Sequence, residues 1–265
     1  MRTVLLSRPM SQQGILTVET FAREGLPISA VVLEPKPLSE RRKRFLKVYR
    51  ENGPFYTLLK VGRILVDDHL LPLVSPARPQ SVKTVAEACA SHGIPAHTVL
   101  DHNGSDCEAL LRSLAPDLLL LAGSRIIKAN VLAVPRIGTI NAHPGWLPTY
   151  RGRNCNLWAF LEGGPTGIST HFVDPGVDTG PILLREPFPI APGDTLEEID
   201  RRAAAHCGAL TAKTVRGLTS GAIAPIPQRP EEGRQFHSLP VSQENEVRRR
   251  LSPRGGNTAS ELRRL

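Results

Sequence analysis

Three strand-length apolar runs, Thr3 to Leu6, Ile28 to Leu33 and Asp117 to Leu121, most narrowly limit what this chain can fold into. None alternates apolar with polar residues, so each has to be covered on both faces, which is the situation of a strand inside a parallel sheet flanked by helices. The stretch between the first two, Gly14 to Arg23, carries Ile15, Val18 and Ala22 on one helical stripe with Phe21 beside it, and Gly25 and Pro27 punctuate its end. Strand, helix, strand at the start of a chain predicts an α/β fold with an open, mostly parallel, Rossmann-like sheet in a single domain.

The same rhythm continues downstream. Helices are expected at Ser81 to His92, near Ser105 to Leu114, and over a short piece from Ala129 to Leu132; strands are expected at Ala96 to Leu100 and Gly138 to Asn141. Asp101 to Gly104 reads as a polar turn, and Pro116 closes the helix before it. Further on come a helix at Arg153 to Leu161, strands at Ile168 to Val173 and Ile182 to Ile190, and a helix capped by Asp194 or Thr195 that runs to about Leu218. Two regions depart from the pattern. Residues 36–70 form a basic, amphipathic insertion, expected to be helical: a solvated helix over the sheet edge, an acceptor-recognition element, or a contact for nucleic acid or an anionic membrane surface. Beyond Pro225, residues 226–265 are rich in Pro, Arg, Glu, Gly and Ser, which predicts a catalytic domain over residues 1–225 followed by a basic, disordered tail.

With 265 residues and 40% apolar content the chain has enough material for a large core, and it contains no apolar run long enough to span a membrane. Met1 to Leu6 lacks the features of a signal peptide, so a cytoplasmic location is expected. Cys89, Cys107, Cys155 and Cys207 show no CxxC pairing and read as reduced thiols. A net charge of +8, concentrated at Lys36 to Arg50 and in Arg248, Arg249, Arg250, Arg254, Arg263 and Arg264, is compatible with nucleic acid but equally with a solvated face or an anionic small substrate.

Asn141-Ala142-His143-Pro144, Gly167-Ile168-Ser169-Thr170-His171-Phe172-Val173 and Asp178-Thr179-Gly180 bring an amide, an imidazole and a carboxylate into one part of the chain, each beside turn-forming residues. Acyl transfer to an amine needs such groups: donors for the negative oxygen of a tetrahedral intermediate and a carrier for the amine's proton. Asn141 and His143 are the candidate donors. Asp178 is expected to orient His143 and, as a neighbouring anion, to raise its pKa. Taken singly each has a plainer reading, Asn141 as a strand-end residue satisfying a turn, His143 as a satisfied core histidine and Asp178 as a turn carboxylate. A metal site built from His143, His171 and Asp178 has no HExxH or comparable spacing, so no metal is expected. Cys155 lacks an activating partner and is read as packing.

These blocks resemble the catalytic domain of the folate-dependent formyltransferases, whose pattern runs Asn-x-His-Pro-Ser-Leu-Leu-Pro-x-Tyr-Arg-Gly, then Gly-x-Thr-x-His-x-Val, then Asp-x-Gly-x-Ile. This chain has Asn141-Ala142-His143-Pro144-Gly145-Trp146-Leu147-Pro148-Thr149-Tyr150-Arg151-Gly152, then the Gly167 block, then Asp178-Thr179-Gly180-Pro181-Ile182. The likeness is close from about Leu118 to Leu210, and Gly145-Trp146 stands where Ser-Leu is usual. The resemblance implies 10-formyltetrahydrofolate as formyl donor, with Asn141, His143 and Asp178 as catalytic groups and His171 as a structural or supporting partner. It implies that Gly123, Ser124, Arg125, Ile126 and Ile127 wrap the pterin ring and that Asp174, Pro175, Gly176 and Val177 face it from a second loop. Tyr150 and Arg151 are implied near the acceptor, and Trp146 stacks on the acceptor or the folate, or fills space.

For the acceptor, the expectation is the amine or hydroxylamine of a small molecule such as a nucleotide-linked amino sugar or an amino acid. The tRNA branch of the family normally continues into a carboxyl-terminal β-barrel, for which the sequence after Pro225 is too polar. The glycinamide ribonucleotide branch usually has a glycine-containing phosphate loop after the first strand, and Ser7 to Gln13 contains no glycine. Methionyl-tRNA or glycinamide ribonucleotide formyl transfer, 10-formyltetrahydrofolate hydrolysis, and a non-catalytic folate- or RNA-binding role stay open as alternatives. A homo-oligomer is compatible with all of them.

Overall fold

A computed structural model describes residues 1–35, Gly53 and residues 84–252. The main sheet holds seven strands: β1 (Thr3–Ser7), β2 (Ala30–Leu33), β3 (Ala96–Thr98), β4 (Leu118–Ala122), β5 (Gly138–His143), β7 (Gly167–Phe172) and β8 (Ile182–Pro187). Their spatial order is β3-β2-β1-β4-β5-β7-β8. The first five run parallel, and β7 and β8 are antiparallel to their neighbours. The mostly parallel α/β sheet is therefore present, closed at one edge by an antiparallel pair.

The apolar runs are buried on both faces, as a parallel sheet demands. Leu5, Val31, Leu118 and Leu120 point to one side, where α1 (Gln12–Arg23), α2 (Val85–Ser91) and α6 (Leu196–Thr219) supply Val18, Phe21, Val85, Ala88, Ala212 and Val215. Val4, Leu6, Val32, Leu119 and Leu121 point to the other, under Cys107 and Leu111 of α3 (Ser105–Leu114) and Val131 of α4 (Ala129–Leu132). Each leucine taken from water here contributes roughly 1.5–3 kcal/mol. Among the described residues, no helix is long and apolar enough to cross a membrane.

Local sequence sets the helix ends. The Ser11 hydroxyl accepts from Gly14 N at the start of α1. Thr195, rather than Asp194, caps α6, in a reciprocal box with Glu198. The residue after α3, Ala115, adopts a left-handed conformation ahead of Pro116. The expected insertion at residues 36–70 lies outside the described residues apart from Gly53.

The region expected to be a disordered tail is, through residue 252, built into the fold. It contains a 3-10 turn (Pro230–Glu232), β9 (Arg234–Phe236) and α7 (Val241–Leu251). Strand β9 pairs in parallel with a short strand, β6 (Tyr150–Gly152), and Phe236 stacks on Tyr150 with ring centroids 5.2 Å apart. Trp158 of α5 (Cys155–Glu162) donates to the His237 carbonyl at 2.9 Å, and Val247 and Leu251 are buried beside Leu157 and Leu196. Composition misleads here because a few apolar side chains landing on an existing core suffice, and the segment borrows that core. The arginines of α7 are also committed within the chain, Arg248 to Glu244 and Arg249 and Arg250 to Glu246. Replacing Leu251 by Ala should lower unfolding free energy by roughly 2 kcal/mol or more in a urea titration; an unchanged midpoint would mean that α7 is not docked.

Candidate active site

Asn141 and His143 lie two residues apart on β5, so both side chains leave the same face at the strand's carboxyl end, where open α/β sheets place their ligand crevices. The antiparallel register sets His171 opposite Asn141 and Ser169 opposite His143. Asp178 arrives from the β7–β8 connection. It completes a cluster in which Asn141 Nδ2 lies 3.3 Å from His171 Nε2 and 3.5 Å from Asp178 Oδ1. His143 Nδ1 is 3.4 Å from Asp178 Oδ2, and His171 Nε2 is 3.4 Å from Asp178 Oδ1. The structure thus brings Asn141, His143, Asp178 and His171 together.

Backbone groups orient each side chain. His143 Nε2–H donates to the Tyr150 carbonyl at 2.8 Å, leaving Nδ1 toward Asp178. His171 Nδ1–H donates to the Phe172 carbonyl at 2.7 Å, and in that tautomer its Nε2 accepts from Asn141. Asp178 Oδ2 accepts from Gly152 N at 2.8 Å. Ser169 Oγ donates to the Gly145 carbonyl at 2.7 Å and accepts from Leu147 N at 3.0 Å, fixing the turn beside His143. At Gly145 a side chain would collide with the His143 ring and with Cys155, so the glycine that replaces the usual serine leaves room for this ring position.

Electrostatically the pair divides unevenly. Burial opposes ionisation of Asp178, but the His143 and His171 rings, whenever one of them carries the proton, and the Gly152 N–H outweigh it and hold the carboxyl below the ordinary carboxylate range, at about 2. His143 is buried and pushed below its ordinary value: burial dominates, His171 adds to it, and Asp178 and the Tyr150 carbonyl oppose it without prevailing. Asp178 does pull the His143 pKa upward, as expected, but the net shift is downward, because the loss of water around the ring exceeds the attraction of one anion. At rest the ring is neutral, its single N–H spent on Tyr150, and Nδ1 is a base whose incoming proton would lie beside Asp178. The Cys155 thiol is also pushed up by burial, which fits packing rather than nucleophilic attack.

The remaining expected residues surround this cluster in different ways. Gly123 to Ile127 follows the carboxyl end of β4, the parallel neighbour of β5. Ile126 is 76% exposed and Ile127 is buried. Asn103 fixes this loop, donating to the Ile126 carbonyl and accepting from Lys128 N. Ser124 donates to the Arg125 carbonyl within the loop, and Arg125 is held by Glu34 and Asp101. Asp174 to Val177 forms a turn in which Asp174 accepts from Gly176 N and from Thr179. The side chains expected to meet the acceptor are engaged elsewhere. Tyr150 packs on Phe236, Arg151 is buried and donates to the Arg229 carbonyl, and Trp146 lies under Arg185, 5.2 Å from its guanidinium carbon. Sequence reasoning missed Ser169, Gly152 and Gln228. The last donates to the carbonyls of Asp178 and Gly180, and only contacts distant in sequence disclose it.

Fold and site together define an α/β enzyme-like scaffold with a partly buried Asn-His-Asp cluster at the carboxyl end of β5. A model described as formyl transferase matches residues 76–214, just over half the chain, and the protein belongs to that family. The methionyl-tRNA formyltransferase of Aromatoleum aromaticum is 33% identical over 202 residues, covering 72% of this chain and 63% of that protein. The methionyl-tRNA formyltransferase of Koribacter versatilis is 39% identical over 132 residues, 49% of this chain and 42% of the relative. The chain spans about half the length of the curated relatives it matches. Among solved structures, glycinamide ribonucleotide transformylase 1 from Symbiobacterium toebii superposes with a TM-score of 0.59 at 20% identity, over 86% of this chain and 94% of that one. The Helicobacter canadensis N-formyltransferase, solved with folinic acid and dTDP-3-aminofucose, gives 0.55 at 15% identity, over 89% of this chain and 71% of that one. At these identities the structural likeness speaks for the fold.

Histidine titration by NMR should place His143 below the ordinary value of about 6.5. Asp178→Asn should lower it further, since the carboxylate is what favours the charged ring; a rise on that substitution would contradict the electrostatic account.

Proposed function

We propose that the chain transfers the formyl group of 10-formyltetrahydrofolate to the amine or hydroxylamine of a small molecule. The observation that carries this reading is the convergence of Asn141, His143 and Asp178 within hydrogen-bonding reach or just beyond it, in a family of formyl transferases. The exposed Ile126 over the buried Ile127, in a loop pinned by Asn103, suits one apolar face of a pterin. Bound there, the donor would supply an electrophilic formyl carbon and a nitrogen leaving group.

Each side chain has a defined task in this reading. Asn141 offers an amide N–H to the oxygen that becomes negative as the acceptor amine adds. His143 Nδ1 takes a proton from that amine, and the resulting imidazolium is stabilised by Asp178, which stays ionised throughout; as the tetrahedral intermediate collapses, the bond from the formyl carbon to the folate nitrogen breaks and that nitrogen takes the proton from the imidazolium. The 3.4 Å separation between Nδ1 and Oδ2 is long for a hydrogen bond, as befits an unprotonated Nδ1 beside a carboxylate. His171 keeps Asn141 in position.

A small acceptor is supported by the commitment of the α7 arginines to Glu244 and Glu246, which leaves that helix a poor electrostatic match for a polyanion. A methionyl-tRNA acceptor is the second reading, favoured by the names of the curated relatives. Tetrahydrofolate release should depend on one member of a panel of amino sugars, amino acids, glycinamide ribonucleotide and initiator methionyl-tRNA. Asn141→Ala should then slow it by on the order of a hundredfold or more. Release without any acceptor would replace transfer by hydrolysis, and near-normal turnover of Asn141→Ala would remove its assigned role.

A further inference from the structure

We propose that the segment from Ile226 to Phe236 is part of the active site and that Gln228 is the residue in it that positions Asp178. This rests on the formyl-transfer reading for its functional consequence and on geometry for the placement itself.

Asp178 has a φ of 54°, in the left-handed region that a non-glycine residue enters at a cost, so the surrounding structure has to hold it there. Two sets of contacts do so, one made directly by this segment and one by β6, the strand that pairs with its far end. Gln228 Nε2 donates to the Asp178 carbonyl at 3.0 Å and to the Gly180 carbonyl at 2.5 Å, bracing the turn from outside. Gln228 is itself tethered to the main sheet through Ile226, whose N–H and carbonyl exchange 2.8 Å hydrogen bonds with Ile182. From the other side, the Asp178 carboxylate is gripped by Gly152 N, a group of β6.

Strand β6 lies outside the seven-stranded sheet, and among the described residues its strand partner is β9 alone. Arg153 N donates to the Phe236 carbonyl at 3.0 Å and Arg234 N to the Thr149 carbonyl at 3.2 Å, bracketing β6 at both ends. Gly152, at a φ of 100°, lies against the Phe236 carbonyl so closely that any side chain there would collide. The third residue of the Tyr-Arg-Gly motif is therefore glycine because β9 passes over it. The same short strand presents the Tyr150 carbonyl to His143 Nε2. Asp178's backbone, its carboxylate and the far side of the His143 ring are thus all referenced to residues 226–236.

Loss of the Gln228 amide frees the Asp178 turn and lets the carboxylate drift from His143. Among the described residues, the groups acting on that ring are Asp178 from the β7–β8 connection, His171 from β7 and the Tyr150 carbonyl from β6. Of these, the variant moves Asp178.

The test compares Gln228→Met and Gln228→Glu with wild type in the full chain. Both remove the N–H donor, and the glutamate keeps the shape. Turnover number should fall roughly 10- to 100-fold in both, as for a misplaced catalytic group, while KM for the folate donor stays within about twofold. In Gln228→Met, which adds no charge, the His143 titration midpoint, read by NMR on histidine-labelled protein, should move to lower pH, because the anion that favours the charged ring has moved away. A purely structural residue would lower activity only in proportion to the folded fraction and leave the titration where it was. That result, or wild-type turnover in Gln228→Glu, would overturn the proposal. Should the wild-type protein release no tetrahydrofolate with any acceptor, the functional reading fails while the titration still decides the positioning.

Discussion

A buried carboxylate has to recover, from donors and nearby charge, what it loses in hydration, and this site is arranged around Asp178 doing so. Its oxygens face the Gly152 N–H, His143, His171 and Asn141, and it stays ionised at about 2 despite its burial. Those partners come from β5, β6 and β7, so the carboxylate ties together the sheet's parallel part, its antiparallel edge and a strand outside the sheet. Remove that one charge and a neutral histidine, an amide and a backbone N–H lose their common reference.

The sheet contributes by geometry rather than by chemistry. Parallel strands β1 to β5 end together, and the switch to antiparallel pairing at β5–β7 places a second histidine directly across from Asn141. Pairing through the backbone sets that register, and the burial of Ile140, Ala142 and Ile168 in the apolar clusters on either side of the sheet holds it. The site's precision is in this sense a consequence of the core.

The fold and the central cluster were legible in the sequence for physical reasons. Unbroken apolar runs have few fates other than strands buried on both faces, and Asn141, His143 and Asp178 stand in motifs whose spacing the sheet register requires. Long-range terms were not legible. The sign of the His143 shift depends on how completely the ring is stripped of water, which one neighbouring carboxylate in the sequence does not report. The segment after Pro225 looked unable to fold because its own apolar content is low, yet Phe236, Val247 and Leu251 need only a core that other elements have built. Tyr150 and Arg151 are implied near the acceptor by resemblance; that the backbone of their strand also touches the cluster, through the Tyr150 carbonyl and the Gly152 N–H, is a contact that residue type does not encode.

If Asn141 and Asp178 act on one transition state through a shared geometry, their effects cannot be independent. The most direct measurement is a double-mutant cycle on formyl transfer with Asn141→Ala, Asp178→Asn and the double variant under single-turnover conditions. The account predicts that the double variant is little slower than the worse single one, because either loss already disables the unit. Fully additive losses would contradict it, showing two residues that work apart.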